Sequence, residues 1–177
     1  MRPLFGAIKQ LGFISRNIDR SMRYFADVWD IGPWFVRRRI PFDSLYRGTP
    51  SDITISVALS SAAGMQYEII EQHDTGPSIY QDVLRAASEG LHVQHVAVWT
   101  DEFPKMQAAA LAKGWEPVLE NRTGPGKSLY LIHPDEPHLC MEISDTNPAK
   151  EHFRKIIEDI AATWDGSDPI REGIPKA

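Results

Sequence analysis

A chain of 177 residues is long enough for one ordinary domain with a sizeable core, or for two small modules joined tightly. Hydrophobic residues make up 42% of it and charged residues 24%, a globular mixture that excludes global disorder. The net charge of −5 lacks the basic excess of a nucleic-acid binder, with Arg37-Arg38-Arg39 the one local exception.

The opening MRPLFGAIKQLGF is apolar only briefly, interrupted by Gly6 and Lys9, and carries neither a signal-peptide core nor a small-residue cleavage site. Residues 7–15 predict a strand. Asn17 or Asp19 can then cap a helix whose apolar stripe is Ile18, Met22, Phe25, Ala26 and Trp29, ended by Gly32-Pro33. Strands follow at 34–42, at 52–61 (Ile53, Ile55, Val57 and Leu59 alternating) and at 65–72 after the turn Ala63-Gly64. Residues 73–94 form a connector with a short helix in IYQDVLRAA. The pattern then repeats: a strand in HVQHVAVWT, a helix with Phe103, Met106, Ala110 and Leu111 ending at Gly114, and strands in WEPVLEN, KSLYLIH and HLCMEIS. A last helix over 148–163 carries Phe153, Ile156, Ile157, Ile160 and Ala161 on one side, and an irregular tail is expected after it. No stretch approaches the roughly 18 apolar residues of a membrane span. The single Cys140 excludes an intrachain disulfide, so a reducing, cytoplasmic home is expected, with neither membrane nor nucleic acid as partner.

The expected architecture is therefore α+β: a βαβββ module over 1–72, the connector 73–94, a second βαβββ module over 95–145, and a C-terminal helix and tail over 146–177. Each sheet covers one face with its own helix, and two such modules side by side leave a cleft between their concave faces.

Four polar residues interrupt otherwise apolar strands at corresponding places in the repeat. Gln10 and His95 open the first strand of each half; Glu68 and Glu142 sit in the last strand of each half. Strand alternation puts Gln10 with Gly12 and Ile14, His95 with Ala97 and Trp99, Glu68 with Gln66 and Ile70, and Glu142 with Cys140 and Ser144. All four then face the cleft. Three oxygen donors and one imidazole suit one divalent ion such as zinc, nickel, cobalt, manganese or iron. Taken singly, a Gln or Glu in a strand is usually solvent-facing and a His among apolar residues is more often a satisfied structural histidine. It is their matched placement that points to a metal. His92, three residues before His95, is a rival ligand that regular alternation turns to the opposite face.

The stretches QLGFISRNIDRSMRYFADVWDIGPWF, GLHVQHVAVWTDEF and HLCMEIS resemble the vicinal oxygen chelate superfamily, which includes glyoxalase I, methylmalonyl-CoA epimerase, extradiol dioxygenases and bleomycin-resistance proteins. The resemblance covers about residues 8–145. It implies that Gln10, Glu68, His95 and Glu142 are the metal ligands, a set similar to that of glyoxalase I. It differs from the epimerase pattern, which has His at the first position. It also lacks the two-His-one-carboxylate set of the dioxygenases, which argues against oxygen chemistry, and the chain shows no glutathione-site signature.

The chemistry implied is a lyase, isomerase or epimerase reaction on a small oxygenated substrate, with the metal as Lewis acid and Glu142 and Glu68 as acid and base. The alternative is a metal-free binding or resistance protein that uses the same cleft for an aromatic ligand, lined or bordered by Trp99, Tyr67, Tyr130 and Trp34. Arg37 and Arg39 share a strand face and Arg38 takes the other; they either grip a substrate carboxylate or phosphate or form a solvated face. Cys140 is expected to be a buried, inert thiol. Gly124-Pro125-Gly126 is either a mobile lid or an ordinary hairpin connection. A homodimer is also an expectation of the resemblance.

Overall fold

A computed structural model describes residues 3–87, 89–123, 126–173 and 175. The elements run β1 (Gln10–Ser15), α1 (Ile18–Trp29), β2 (Trp34–Tyr46), β3 (Thr49–Ala62), β4 (Met65–Gln72), α2 (Ile79–Ala86), β5 (Leu91–Thr100), α3 (Phe103–Leu111), β6 (Glu116–Asn121), β7 (Ser128–His133), β8 (Glu136–Asp145), α4 (Pro148–Ala162) and β9 (Ile170–Glu172). Two βαβββ halves are therefore present, β1-α1-β2-β3-β4 and β5-α3-β6-β7-β8. Among the described residues no helix is long and apolar enough to cross a membrane.

The strand order is β3-β4-β1-β5-β8-β7-β6-β2-β9, and β3 also pairs with β2. The halves join at their first strands, β1 antiparallel to β5. They also meet at the far side, where Ser44–Tyr46 of β2 pairs with Leu119–Asn121 of β6. This second junction closes eight strands into a ring, where the sequence pattern predicts only two facing sheets. The tail, expected to be irregular, supplies β9. It lies parallel to Trp34–Val36 on the part of β2 that β6 does not reach.

Side-chain alternation sorts the strands into an outer and an inner face. Outside, α1 packs Ile18, Met22 and Phe25 against Phe13, Trp34, Val36, Ala58 and Ile69. Asn17 begins that helix, its side chain accepting a hydrogen bond from the Arg20 amide at 2.9 Å. Trp29, at the end of the expected stripe, is instead 56% exposed and hydrogen-bonds Tyr24. The second half repeats the arrangement, with Phe103 and Ala110 of α3 packed on Val98, Leu129, Leu131 and Ile143. Inside the ring, Ile14, Phe42, Ile53, Ile55, Ile70, Leu119 and Tyr130 meet Ile79, Tyr80 and Leu84 of α2. The connector helix is thus a plug at one end of the ring. At the other end α4 lies across β3, with Ile157 its one fully buried residue.

Candidate metal centre

The β1–β5 pair builds the centre. Gln10 stands opposite Ala97, and Gly12 opposite His95. Alongside, Gly12 is level with Glu68 of β4, and Ala97 is level with Glu142 of β8. These registers exchange under a twofold axis between the two first strands. Gln10 then corresponds to His95, Gly12 to Ala97, and Glu68 to Glu142. The small residues permit the close approach: a Cβ added to Gly12 would lie 2.0 Å from Cε1 of His95.

Three oxygens converge on one nitrogen. Nε2 of His95 is 3.4 Å from Gln10 Oε1, 3.4 Å from Glu68 Oε2 and 3.3 Å from Glu142 Oε2. The ligand atoms of Glu68, His95 and Glu142 all lie within 4.8 Å of one another. Ligands about 2.0–2.2 Å from a tetrahedral ion stand about 3.3–3.6 Å from each other. The spacing therefore fits a shared cation better than direct hydrogen bonds. Oε2 of Glu68 is buried and makes no hydrogen bond, an expense that a cation would remove. The donor set and the orphaned oxygen together fit a divalent ion.

Neighbouring amides orient the donors. Nδ1 of His95 is 2.6 Å from Gln94 Oε1; an N–H donated there leaves the Nε2 lone pair facing the centre. Gln10 Nε2 donates to Gln66 Oε1 at 2.8 Å, which turns Gln10 Oε1 inward. The edge-on ring of Tyr130 holds the imidazole in place, 5.1 Å between centroids.

Burial and mutual charge set the titration of the cluster. Burial raises the Glu68 carboxyl to about 7, and the Glu142 charge adds to this against the opposing pull of His95. Burial also works against Glu142, but hydrogen bonding and charge from His95, with Ser128 and Tyr130 adding hydrogen bonds, bring it below the usual carboxylate range. Burial opposes the charged imidazole of His95, but Glu142 and then Glu68 outweigh it and raise its pKa. Burial, then the Glu142 charge, pushes the Cys140 thiol up to about 12, and the residue is buried as expected.

A cleft of about 350 Å³ opens from the centre. Trp99 and Tyr130 line it, as the sequence suggests, and Arg37 lines it with an exposed side chain. Tyr67 does not. It follows Gln66 and precedes Glu68 on β4, so it points outward and packs on Phe25 of α1, 5.9 Å between ring centroids. Trp34 is likewise fully buried in the outer cluster. Arg38 also lies outside, paired with Asp19 and Glu172. A register shift between Arg37 and Ile40 breaks the alternation there, and Arg39 adopts a φ of 48°.

A second register shift changes the standing of His92. Gly12 pairs with His95 but Phe13 with Val93, so Gln94 is the extra residue of a bulge. His92 comes opposite Ile14, on the inner face, contrary to regular alternation. It is not in the ligand cluster among the described residues. The same bulge buries both Gln94 and His95. Gln94 beside His95, and Tyr80 and the α4 wall along the cleft, are features that the sequence pattern misses; Gln66 is legible as a residue sharing the face of Glu68. Residues 124 and 125 of the expected loop lie outside the described residues.

Residues 9–131 match the family model described as Glyoxalase/Bleomycin resistance protein/Dioxygenase superfamily. No curated protein matches the sequence. Among solved structures, methylmalonyl-CoA epimerase from Mycobacterium tuberculosis is similar with a TM-score of 0.59 and 13% identity, over 86% of this chain and 95% of that one. A second methylmalonyl-CoA epimerase gives 0.55 and 13%, over 83% and 99%. The Streptomyces coelicolor methylmalonyl-CoA epimerase in complex with 2-nitronate-propionyl-CoA gives 0.51 and 16%, over 81% and 96%. At these identities the likeness is one of fold.

Proposed function

Because the chain belongs to the glyoxalase/bleomycin resistance protein/dioxygenase superfamily, we propose that it is a divalent-metal-dependent isomerase, epimerase or lyase that moves a proton α to a carbonyl of a small oxygenated substrate. The observation that carries this is the convergence of Gln10, Glu68 and Glu142 oxygens on Nε2 of His95, at the base of a cleft. These four residues would hold one zinc, nickel, cobalt, manganese or iron ion. When bound, such an ion supplies Lewis-acid stabilisation of negative charge developing on a substrate oxygen.

The chain's own residues supply the rest. Glu68 and Glu142 come from opposite halves, so a carbon seated between them has a carboxylate on each side to take or return its proton. Return to the same carbon gives epimerisation; return to its neighbour gives isomerisation or a glyoxalase-type rearrangement. Ile55, Val57, Leu59 and Ile70 wall the cleft and keep water from the reacting carbon. Tyr130 stands opposite Glu142 on the neighbouring strand β7 and steadies its position.

Elemental analysis after dialysis against zinc should find one ion per chain. Deuterium incorporation from D2O, followed by NMR across a panel of 2-oxo acids, 2-hydroxy acids and acyl thioesters, should then identify an exchanging α-proton. Glu142→Gln should abolish that exchange with the fold intact. A protein that takes up no divalent ion overturns this reading and leaves the cleft as a metal-free binding site for an aromatic ligand.

A further inference from the structure

Charge is distributed unevenly around the cleft. Four charged side chains of β8 and α4 line its mouth and cancel in pairs. Lys150 Nζ binds Asp145 Oδ1 at 2.7 Å and Ser144 Oγ at 3.0 Å. Arg154 pairs with Glu151 and stacks its guanidinium 4.0 Å from the Trp99 ring centroid. At the base, the two carboxylates face the proposed cation. Arg37 is different: it lines the cleft, and its exposed side chain makes no ion pair or hydrogen bond among the described residues. Its neighbour Arg38 is already held by Asp19 and Glu172. One arginine fork is left unpaired at the cleft.

The strand registers fix how far this fork stands from the centre. Glu68 is level with Leu59, Leu59 is level with Phe35, and Arg37 is two residues further along β2. With about 4.8 Å between strands and about 3.4 Å per residue, the Cα atoms of Glu68 and Arg37 are roughly 12 Å apart along the sheet. Both side chains reach into that interval. The surface between them is Phe35, Val57, Leu59 and Ile70, all apolar. α4 lies across β3 and adds the apolar Phe153 to the lining. A volume of about 350 Å³ is at the small end for ligand pockets.

We propose that the substrate is a compact anion with three parts: a pair of chelating oxygens at the Gln10–Glu68–His95–Glu142 end, an apolar body on the order of one ring, and a carboxylate or phosphate gripped by Arg37. The chelating part rests on the function proposed above; the Arg37 part stands on the cleft alone. A planar guanidinium recognises either anion through two parallel N–H donors. An acyl chain with no terminal anion leaves this fork unsatisfied and binds more weakly.

Two pairs of probes separate the parts in calorimetric titrations. On zinc-loaded protein, 3-(3,4-dihydroxyphenyl)propanoate should bind at least tenfold tighter than 4-propylcatechol, which lacks the carboxylate. On EDTA-treated protein, 3-phenylpropanoate or 2-phenylethyl phosphate should bind at least tenfold tighter than 3-phenylpropanol, and the better of the two names the anion. Arg37→Gln should bring both preferences to within twofold while zinc content and melting temperature stay at the parent values. Arg37→Lys should keep part of the preference, as a point charge without the fork. Equal affinity within each pair, a preference that survives Arg37→Gln, or no binding of any probe overturns the proposal. Failure to take up zinc instead overturns the metal-dependent function, and the second pair still decides the role of Arg37.

Discussion

Gly12→Ala tests the centre with one methyl group. The added Cβ would lie 2.0, 2.3 and 2.4 Å from Cε1, Nδ1 and Nε2 of His95. Carbon atoms in contact prefer about 3.5–4.0 Å, so the ring has to withdraw by about 1.5 Å. It has little room to do so. Its Nδ1 is tied to Gln94 at 2.6 Å, its face is braced by Tyr130, and the residue is 1% exposed. Overpacking of this kind costs about 1–3 kcal/mol of stability. Loss of an orienting partner weakens metal binding about 10–100-fold, so displacement of the ligand itself should weaken it by at least about 100-fold. Competition titration with zinc and a thermal melt read the two effects separately. Gly6→Ala is the control, since a Cβ there meets nothing within 4 Å. Zinc affinity within threefold of the parent in Gly12→Ala would refute the placement of His95 at the centre.

Gln94→Ala should weaken zinc binding about 10–100-fold with a small change in melting temperature, and Gln94→Glu, which keeps the acceptor, should recover most of it; equal affinities in all three proteins would remove Gln94 from that role. The metal-free protein should lose stability as pH rises from about 4.5 to about 7. Glu68 has a folded-state pKa raised by burial from 4.5 to about 7, so its contribution is full below the unfolded value and lost through the folded one. The raised pKa of His95 acts in the same sense at and above 6.5. Zinc should reverse the trend by displacing the protons, and melting temperatures against pH, with EDTA and with zinc, check both signs. Ile157→Ala should cost about 2–5 kcal/mol in urea unfolding, because Ile157 is the one fully buried anchor of α4; a cost under about 0.5 kcal/mol would mean that the helix is held otherwise.

Much of the fold was legible because it rests on local periodicity. The alternation around Glu68 and Glu142 and the repeat of β-α-β-β-β need no partner strand to be read. That alternation also places Gln10 and His95 on the face that the structure gives them. What escaped depends on partners distant in sequence or on single extra residues. The bulge at Gln94 carries no compositional mark, yet it brings His92 to the inner face and buries an amide against His95. The β2–β6 junction spans three residues on each strand, too short for a pattern, and β9 is no longer. Tyr67 was misplaced because aromatic content alone suggested it, although the alternation that puts Glu68 inward puts Tyr67 outward.

The twofold relation between the halves has a stereochemical consequence under the proposed chemistry. An axis that exchanges Glu68 and Glu142 puts them on opposite faces of a planar carbon whose plane contains that axis. A proton leaving to one carboxylate and arriving from the other inverts configuration, whereas a single carboxylate serving both steps would retain it. The axis is broken at the first pair, where Gln10 answers His95, so the two faces of that carbon meet chemically unequal surroundings.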